Sequence, residues 1–196
     1  MKRLLLFVIV LTVVSGCAVG QRLNYEGRSN FKFKSDDAVV VAVHDMRPYV
    51  QSGNKKPNFA GILKSIYGIP YSVTTTSGNP LSDDFGGMIA ETMDYRGVSA
   101  VQEKVSHLLS PDTIKEKVIS KHPGKILYYI KMNEWKTETH FRPALHYNLE
   151  LTILDKSGNE IGKNQEKGFF YFDKSQPRRE NLATATTAIL DDLFNK

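Results

Sequence analysis

From Ile126 to Met132 and again from Leu145 to Ile153, apolar side chains fall on alternate positions. Ile126, Tyr128, Ile130 and Met132 share one face of the first segment; Leu145, Tyr147, Leu149, Leu151 and Ile153 share one face of the second, opposed by His146, Asn148, Glu150 and Thr152. A period of two is the mark of half-buried antiparallel strands. Asp155-Lys156-Ser157-Gly158-Asn159 then turns the chain into a partner strand ending at Gly168 to Phe172. Trp135 falls opposite Ile126, Tyr128 and Ile130 in strand register, so it is expected on the other face, partly buried against a helix. Ala38 to Val43 (AVVVAV) is an unbroken apolar, β-branched run, which predicts a strand covered on both faces.

Helical spacing appears three times. Phe85, Met88, Ile89 and Met93 define a helix from about Leu81 to Arg96, with Ser82 placed to cap it, Asp83 and Asp84 at the positive end of its dipole, and Gly97 at its close. Gly86 and Gly87 each cost about 1 kcal/mol there against Ala, which points to close backbone packing or a later start. After a short strand at Val98 to Val101, Ser110-Pro111-Asp112 opens a helix whose face is Ile114, Val118 and Ile119, stopped by His122-Pro123-Gly124. Leu182, Ala185, Ile189 and Leu193 mark a last amphipathic helix, capped near Ser175 with Pro177 in its first turn. This order predicts an α+β fold: a mixed, mainly antiparallel sheet of about four strands with helices on one face, a two-layer sandwich. The domain spans residues 38–196. Residues 17–37, interrupted by Gly20, Asn24, Gly27, Ser29 and Asn30, read as a tether with an r.m.s. reach of roughly 25 Å, to which Phe31-Lys32-Phe33-Lys34 could add a short edge strand.

The first 16 residues have a different logic. Lys2-Arg3 precedes an apolar stretch from Leu4 to Val14, broken only by Thr12, and two small residues then lead to Cys17. That is the layout of a secretory signal; a membrane span needs roughly 20 apolar residues, and 11 separate Arg3 from Ser15. Val14-Ser15-Gly16-Cys17 resembles the lipobox of bacterial lipoproteins. The resemblance implies removal of residues 1–16, a diacylglyceryl group on the Cys17 sulfur and acylation of its new amino terminus. One acyl chain holds weakly and two or more hold durably, at about 0.8 kcal/mol per buried methylene. Ala18, where Asp favours inner-membrane retention in enterobacterial-type lipoproteins, resembles an outer-membrane choice facing the periplasm.

With its one cysteine acylated, the mature chain of 180 residues has no disulfide, thiolate metal site or cysteine nucleophile, and must be held by its core. Its 41% hydrophobic and 24% charged residues are ordinary for a globular domain. The basic balance weakens on inspection: the formal charge of +5 falls to +3 once Lys2 and Arg3 leave with the leader. The Lys and Arg residues are not clustered as nucleic-acid binding requires, so no nucleic-acid partner is expected. Weak attraction to anionic headgroups or cell-wall polymers, or a plain solvated surface, accounts for the excess.

Beyond the lipobox, the early strand at Ala38–Val43, the helix and strand over Phe85–Val101, the meander over Ile126–Phe172 and the terminal helix at Leu182–Phe194 together resemble the small envelope lipoproteins of the YajG type, by order and pattern. The resemblance implies a non-enzymatic accessory or assembly factor. The stretch from Asp45 to Leu81 departs from that pattern.

That stretch is the exceptional part of the chain. A connection longer than about 12–15 residues is usually functional or disordered. It holds four of the eight prolines, yet also Tyr49, Phe59, Tyr67 and Tyr71 beside Ile62, Leu63, Ile66 and Val73, which disorder would disfavour. Arg47, Lys55, Lys56 and Lys64 against Asp45 make it net +3. Two readings fit: a binding surface for an envelope protein or polymer, with Arg47, Tyr49, Lys55, Lys56, Phe59, Tyr67 and Tyr71 as contacts, or a loop folded back over a sheet edge or the core. Catalytic patterns are thin. There is no G-x-S-x-G elbow and no Walker A sequence. His44-Asp45, with Ser52 or Ser72 as nucleophile, is the best hydrolase candidate for a cell-wall or lipopolysaccharide bond, although a hydrogen-bonded strand-end pair explains the same residues. His140 and His146 lack a third ligand at metal spacing, and no cofactor or metal is expected. Asp83-Asp84 suits a helix dipole and Asp191-Asp192 a solvated face. A small-ligand or lipid carrier, with the aromatics lining a cavity, is the remaining alternative.

Overall fold

The computed structural model describes residues 22–195 apart from Glu26, Lys34, Ile66, His140 and Phe141. The expected leader, Cys17 and Ala18 therefore lie outside the described residues, as do His140 and Ile66. Among the described residues the strands are β1 (Arg22–Leu23), β2 (Val39–Asp45), β3 (Phe59–Lys64), β4 (Pro70–Thr75), β5 (Ala100–Gln102), β6 (Ile126–Thr139), β7 (Pro143–Leu154) and β8 (Glu160–Tyr171). The helices are α1 (Pro48–Gln51), α2 (Leu81–Tyr95), α3 (Pro111–Lys121) and α4 (Arg178–Asn195). No helix among these residues is long and apolar enough to cross a membrane.

The strands join in one curled, mixed sheet of eight, not about four. β6 organises it. Along one edge it pairs antiparallel with β7 over its whole length, and β7 with β8. Its other edge is divided: β2 runs parallel to the lower half, from Val39↔Ile126 to Asp45↔Met132, and β3 takes over parallel to the upper part at Gly61↔Thr137 and Ile62↔Glu138. β5 lies parallel outside β2, while β4 and then β1 extend the sheet from β3. The sheet's half-barrel curl follows from this split. Gly61 sits at the junction because a Cβ there would lie 2.4 Å from the Thr137 carbonyl oxygen.

The expected two-layer sandwich with helices on one face is also corrected. α2 and α4 cover one face, where Val39, Val41, Val43, Phe85, Ile89, Met93, Leu149, Leu151, Ile189 and Leu193 share a core. α3 covers the lower part of the other face through Ile114 and Val118, packed on Val40, Ala42, Leu127, Tyr129 and Leu154. The continuous apolar run of β2 is thereby explained: alternate residues enter two different cores, and all seven of its residues are buried. The close packing signalled by Gly86 is real, since a Cβ there would meet Gln102 Nε2 at 2.8 Å and Val43 Cγ2 at 3.3 Å.

Three local expectations change. Trp135 is fully buried in the α2-covered core, edge-on to Phe85 at 4.7 Å, on the same side as Tyr128, Ile130 and Met132. A β-bulge between Met132 and Glu134 inserts one residue and exchanges the faces of everything after it. Helix α2 begins after Pro80 without a side-chain cap at Ser82; Asp84 instead accepts from Ser77 Oγ at 2.6 Å. At α4, Asp173 accepts from the Ser175 amide and hydroxyl, and Asn181 bonds the Asp173 backbone in both directions. At α3, by contrast, Ser110 Oγ accepts from the Thr113 amide as a cap should.

From Arg22 onward the expected tether is part of the body. β1 pairs with β4, Tyr25 and Phe31 are buried, Phe31 stacks on Phe194 at 5.1 Å, and Phe33 meets Tyr128 edge-on at 5.3 Å.

Candidate functional site

The stretch from Asp45 to Leu81 is not a structureless loop. A single helical turn, α1, is followed by the β3–β4 hairpin, so the segment both completes the sheet and stands above it. Arg47 fixes the fold of this segment. It is fully buried, and its five N–H donors all meet acceptors. Nε reaches Asp45 Oδ1 at 2.8 Å; one terminal nitrogen reaches Asp45 Oδ2 at 2.6 Å and the Pro57 carbonyl at 3.0 Å. The other reaches the Phe59 and Trp135 carbonyls at 2.6 and 3.3 Å. One side chain thus ties the end of β2, the start of β3 and the bulged part of β6 together where the sheet divides. Burial opposes the charge, but the Asp45 carboxylate outweighs it and holds the guanidinium above its ordinary pKa. Arg47 has no donor left for a partner, so of the two readings open at the sequence level it belongs to the core-cover one.

Phe59 is likewise buried and meets the Tyr49 ring edge-on at 5.3 Å. Tyr49 is half-buried; its hydroxyl donates to Glu134 Oε1 at 2.6 Å, and burial, reinforced by the Glu134 carboxylate, pushes the phenol well above its usual range, so it stays a neutral donor. Lys55 Nζ lies 5.0 Å from the Phe59 ring and donates to Ser72 Oγ at 2.9 Å. Lys136 Nζ lies 5.9 Å from the Tyr49 ring and 3.9 and 3.8 Å from the Glu134 and Glu138 carboxylates. Lys56 is exposed beside them. The result is an aromatic pair overlaid by cations on the sheet face above α3, continuous with a polar ladder in which Lys131 and Asn133 meet Glu150, and His146 lies 3.8 Å from Glu138. Cations held over aromatic faces, partly desolvated and fixed in place, suit recognition of acidic or polar partners.

Tyr67 and Tyr71 lie elsewhere. Tyr71 packs half-buried against the α2-covered core, whereas Tyr67, at the hairpin tip, is 83% exposed. The structure therefore gathers Tyr49, Lys55, Lys56 and Phe59, assigns Arg47 to their support, and separates Tyr67 and Tyr71 from them. Glu134, Lys136 and Glu138 were not singled out in the sequence. The alternation in β6 that marked their strand placed them on the wrong face once the bulge intervened.

His44 and Asp45 are both fully enclosed. His44 Nδ1 lies 2.6 Å from the Tyr129 hydroxyl, and Asp45 is engaged by Arg47. Burial pulls the His44 pKa below its ordinary value. The pair thus faces two different buried partners and presents no reacting atom to solvent. Ser52 and Ser72 are exposed, and Ser72 accepts from Lys55. Among the described residues no three metal-ligating side chains converge. A cleft of about 160 Å³ lies between residues 24–30 and α4, lined by Tyr25, Arg28, Met88, Arg179, Leu182 and Thr186. Larger hollows of about 330 and 580 Å³ lie beside α3, one lined by Val105, Leu109, Ile114 and Val118 and the other by Ile119, Leu154, Ser157 and Gly158; the aromatics of residues 45–81 line none of the three.

A long sheet curled round one pair of helices, with a third helix behind, defines an architecture that recurs in solved structures. Protein XCC0632 from Xanthomonas campestris, of the family DUF330, shares the fold at a TM-score of 0.50 with 8% identity, over 89% of this chain and 91% of that one. A PelC dodecamer from Paraburkholderia phytofirmans (TM-score 0.46, 13% identity, 86% of this chain and 94% of that) and lipoprotein GNA1162 from Neisseria meningitidis (TM-score 0.36, 13% identity, 82% and 99%) are similar at lower correspondence. No family profile matches the sequence, and no curated protein matches it.

Proposed function

We propose that the chain is a lipid-anchored envelope protein of the YajG type, facing the periplasm from the outer membrane, that works by binding rather than by catalysis. Its ligand is a protein or envelope polymer with acidic or polar character. The observation that carries this reading is the patch of Tyr49, Phe59, Lys55, Lys56 and Lys136, immobilised by the saturated Arg47 guanidinium beneath it. A surface fixed before contact loses little conformational entropy on binding. Exposed cations at its rim set the rate of encounter, and the aromatic pair sets the rate of release. The Val14–Cys17 lipobox supplies the anchor.

Photo-crosslinking in intact cells tests this. A photoreactive residue at Lys56 or Gln51 is expected to give a discrete adduct identifiable by mass spectrometry, and the same residue at Ser157 none. Equal, diffuse labelling from all three positions would refute a partner at this patch.

A further inference from the structure

Four large apolar side chains stand exposed at one end of the sheet. Tyr67 (83% exposed) and Ile69 (63%) form the β3–β4 tip; Phe169 (58%) and Tyr171 (53%) end β8, 5.1 Å apart. Strand register sets their levels: Phe169 pairs with His146 and His146 with Lys136, so Phe169 is the lowest of the four. Tyr171 pairs with Ala144, Ala144 with Glu138, and Glu138 with Ile62, so the hairpin tip rises just beyond the level of Tyr171. Arg142, with its guanidinium 5.9 Å from the Tyr171 ring, lies at this end, and so do Lys174 and Arg179, all exposed. Asp173, bound to Ser175, and Glu180 are the neighbouring acids. Aromatic and aliphatic side chains rimmed by cations form the composition favoured at a bilayer surface.

Chain length limits which end can reach a membrane. Arg22 pairs with Thr74, level with Lys136 of β6. Cys17 is five residues earlier, so its sulfur is held within about 18 Å of Arg22 even by a fully extended chain. The far end of the sheet, at Ile126, lies ten residues below Lys136, roughly 33 Å away at strand rise. A lipid on Cys17 therefore cannot bring the far end to the bilayer, whereas Ile69, five residues tipward of Thr74 and so roughly 17 Å above Arg22 on the same scale, is within reach. β1 runs parallel to β4, with Arg22 its tipward residue.

We infer that the tip end, with Tyr67 and Ile69 at the headgroup level and Tyr171 behind them, rests on the bilayer that holds the Cys17 lipid. This inference depends on the lipid-anchor reading and adds an orientation to it: the Tyr49–Lys56 patch then stands sideways, clear of the membrane, open to a partner.

The acylated full chain, reconstituted in phosphatidylethanolamine–phosphatidylglycerol vesicles, carries the test. With Cys17 acylated no other thiol competes, so Ile69→Cys, Tyr171→Cys and Ser157→Cys can each bear a polarity-sensitive fluorophore. Labels at 69 and 171 are expected to shift to shorter wavelength and be quenched by doxyl lipids, and the label at 157 to do neither. Arg142→Glu/Lys174→Glu should reduce the shift at 69 without changing the thermal midpoint. Acylated protein with all three labels in water, or with 157 immersed, would overturn the orientation and leave the anchor standing. A mass spectrum showing no acyl group on Cys17 would overturn both.

Discussion

Arg47 shows how far a residue's role can lie from its local sequence. In a Pro- and Gly-rich stretch a cation reads as a surface group. Its acceptors are instead the Asp45 carboxylate and the carbonyls of Pro57, Phe59 and Trp135, and carbonyls leave no trace in side-chain identity. Arg47→Met strands the Asp45 charge in the interior and is expected to cost about 3–5 kcal/mol, seen as a lower urea midpoint. Arg47→Lys should recover only part of this, because an ammonium cannot reproduce the fork. His44 makes a pH-dependent contribution. Its folded pKa lies below the ordinary 6.5 because burial disfavours the imidazolium, so the unfolded chain binds the proton more readily. Its stabilising contribution is complete above pH 6.5 and is lost as pH falls through the lowered folded value. Acid titration of unfolding should therefore show a slope below pH 6.5 that His44→Gln flattens; an unchanged slope would remove His44 as its source.

At the level of elements, the sequence was most legible where one periodicity ran unbroken. β7, its turn at Asp155 and helices α2, α3 and α4 follow from alternation and helical stripes, with the expected cap present at α3. Leu149 and Ile189 do share a core; Leu149→Ala or Ile189→Ala should each cost about 2–5 kcal/mol, and Glu150→Ala, which loses a half-exposed ion pair, about 0–1 kcal/mol. The hairpin β3–β4 was not legible, because its prolines and glycines conceal a strand pairing that depends on Gly61 meeting Thr137 backbone to backbone. The bulge in β6 was equally hidden: one inserted residue moves Trp135 from the outer face to the core. Deleting Asn133 would remove the extra residue and leave Met132 and Trp135 two positions apart, both still facing the core. The deletion variant should therefore keep cooperative unfolding and its native near-UV circular dichroism, whereas loss of the aromatic signal would show that the bulge does more than set the register.

For the whole molecule, the proposed address and the observed body rest on different signals. The resemblance of Val14–Cys17 to a lipobox is local and needs no fold to read; on the proposed lipid anchor, Cys17→Ser is expected to abolish incorporation of labelled fatty acid, and equal labelling of mutant and wild type would exclude Cys17 as the anchor. The candidate binding patch was half legible, since Tyr49, Lys55, Lys56 and Phe59 stood out by composition while Glu134 and Lys136 arrive from β6 by folding alone. Support and contact are separable in this arrangement. Arg47 and Phe59 hold the patch from below, and Lys55 and Lys56 face outward, so only variants of the outward pair can isolate binding from stability. The decisive measurement is capture of the in-cell crosslinked partner by a Lys55→Glu/Lys56→Glu chain of native thermal midpoint. The account predicts that capture is lost while the midpoint stays within a degree or so, the range of neutral surface substitutions. Undiminished capture by that stable variant would contradict it.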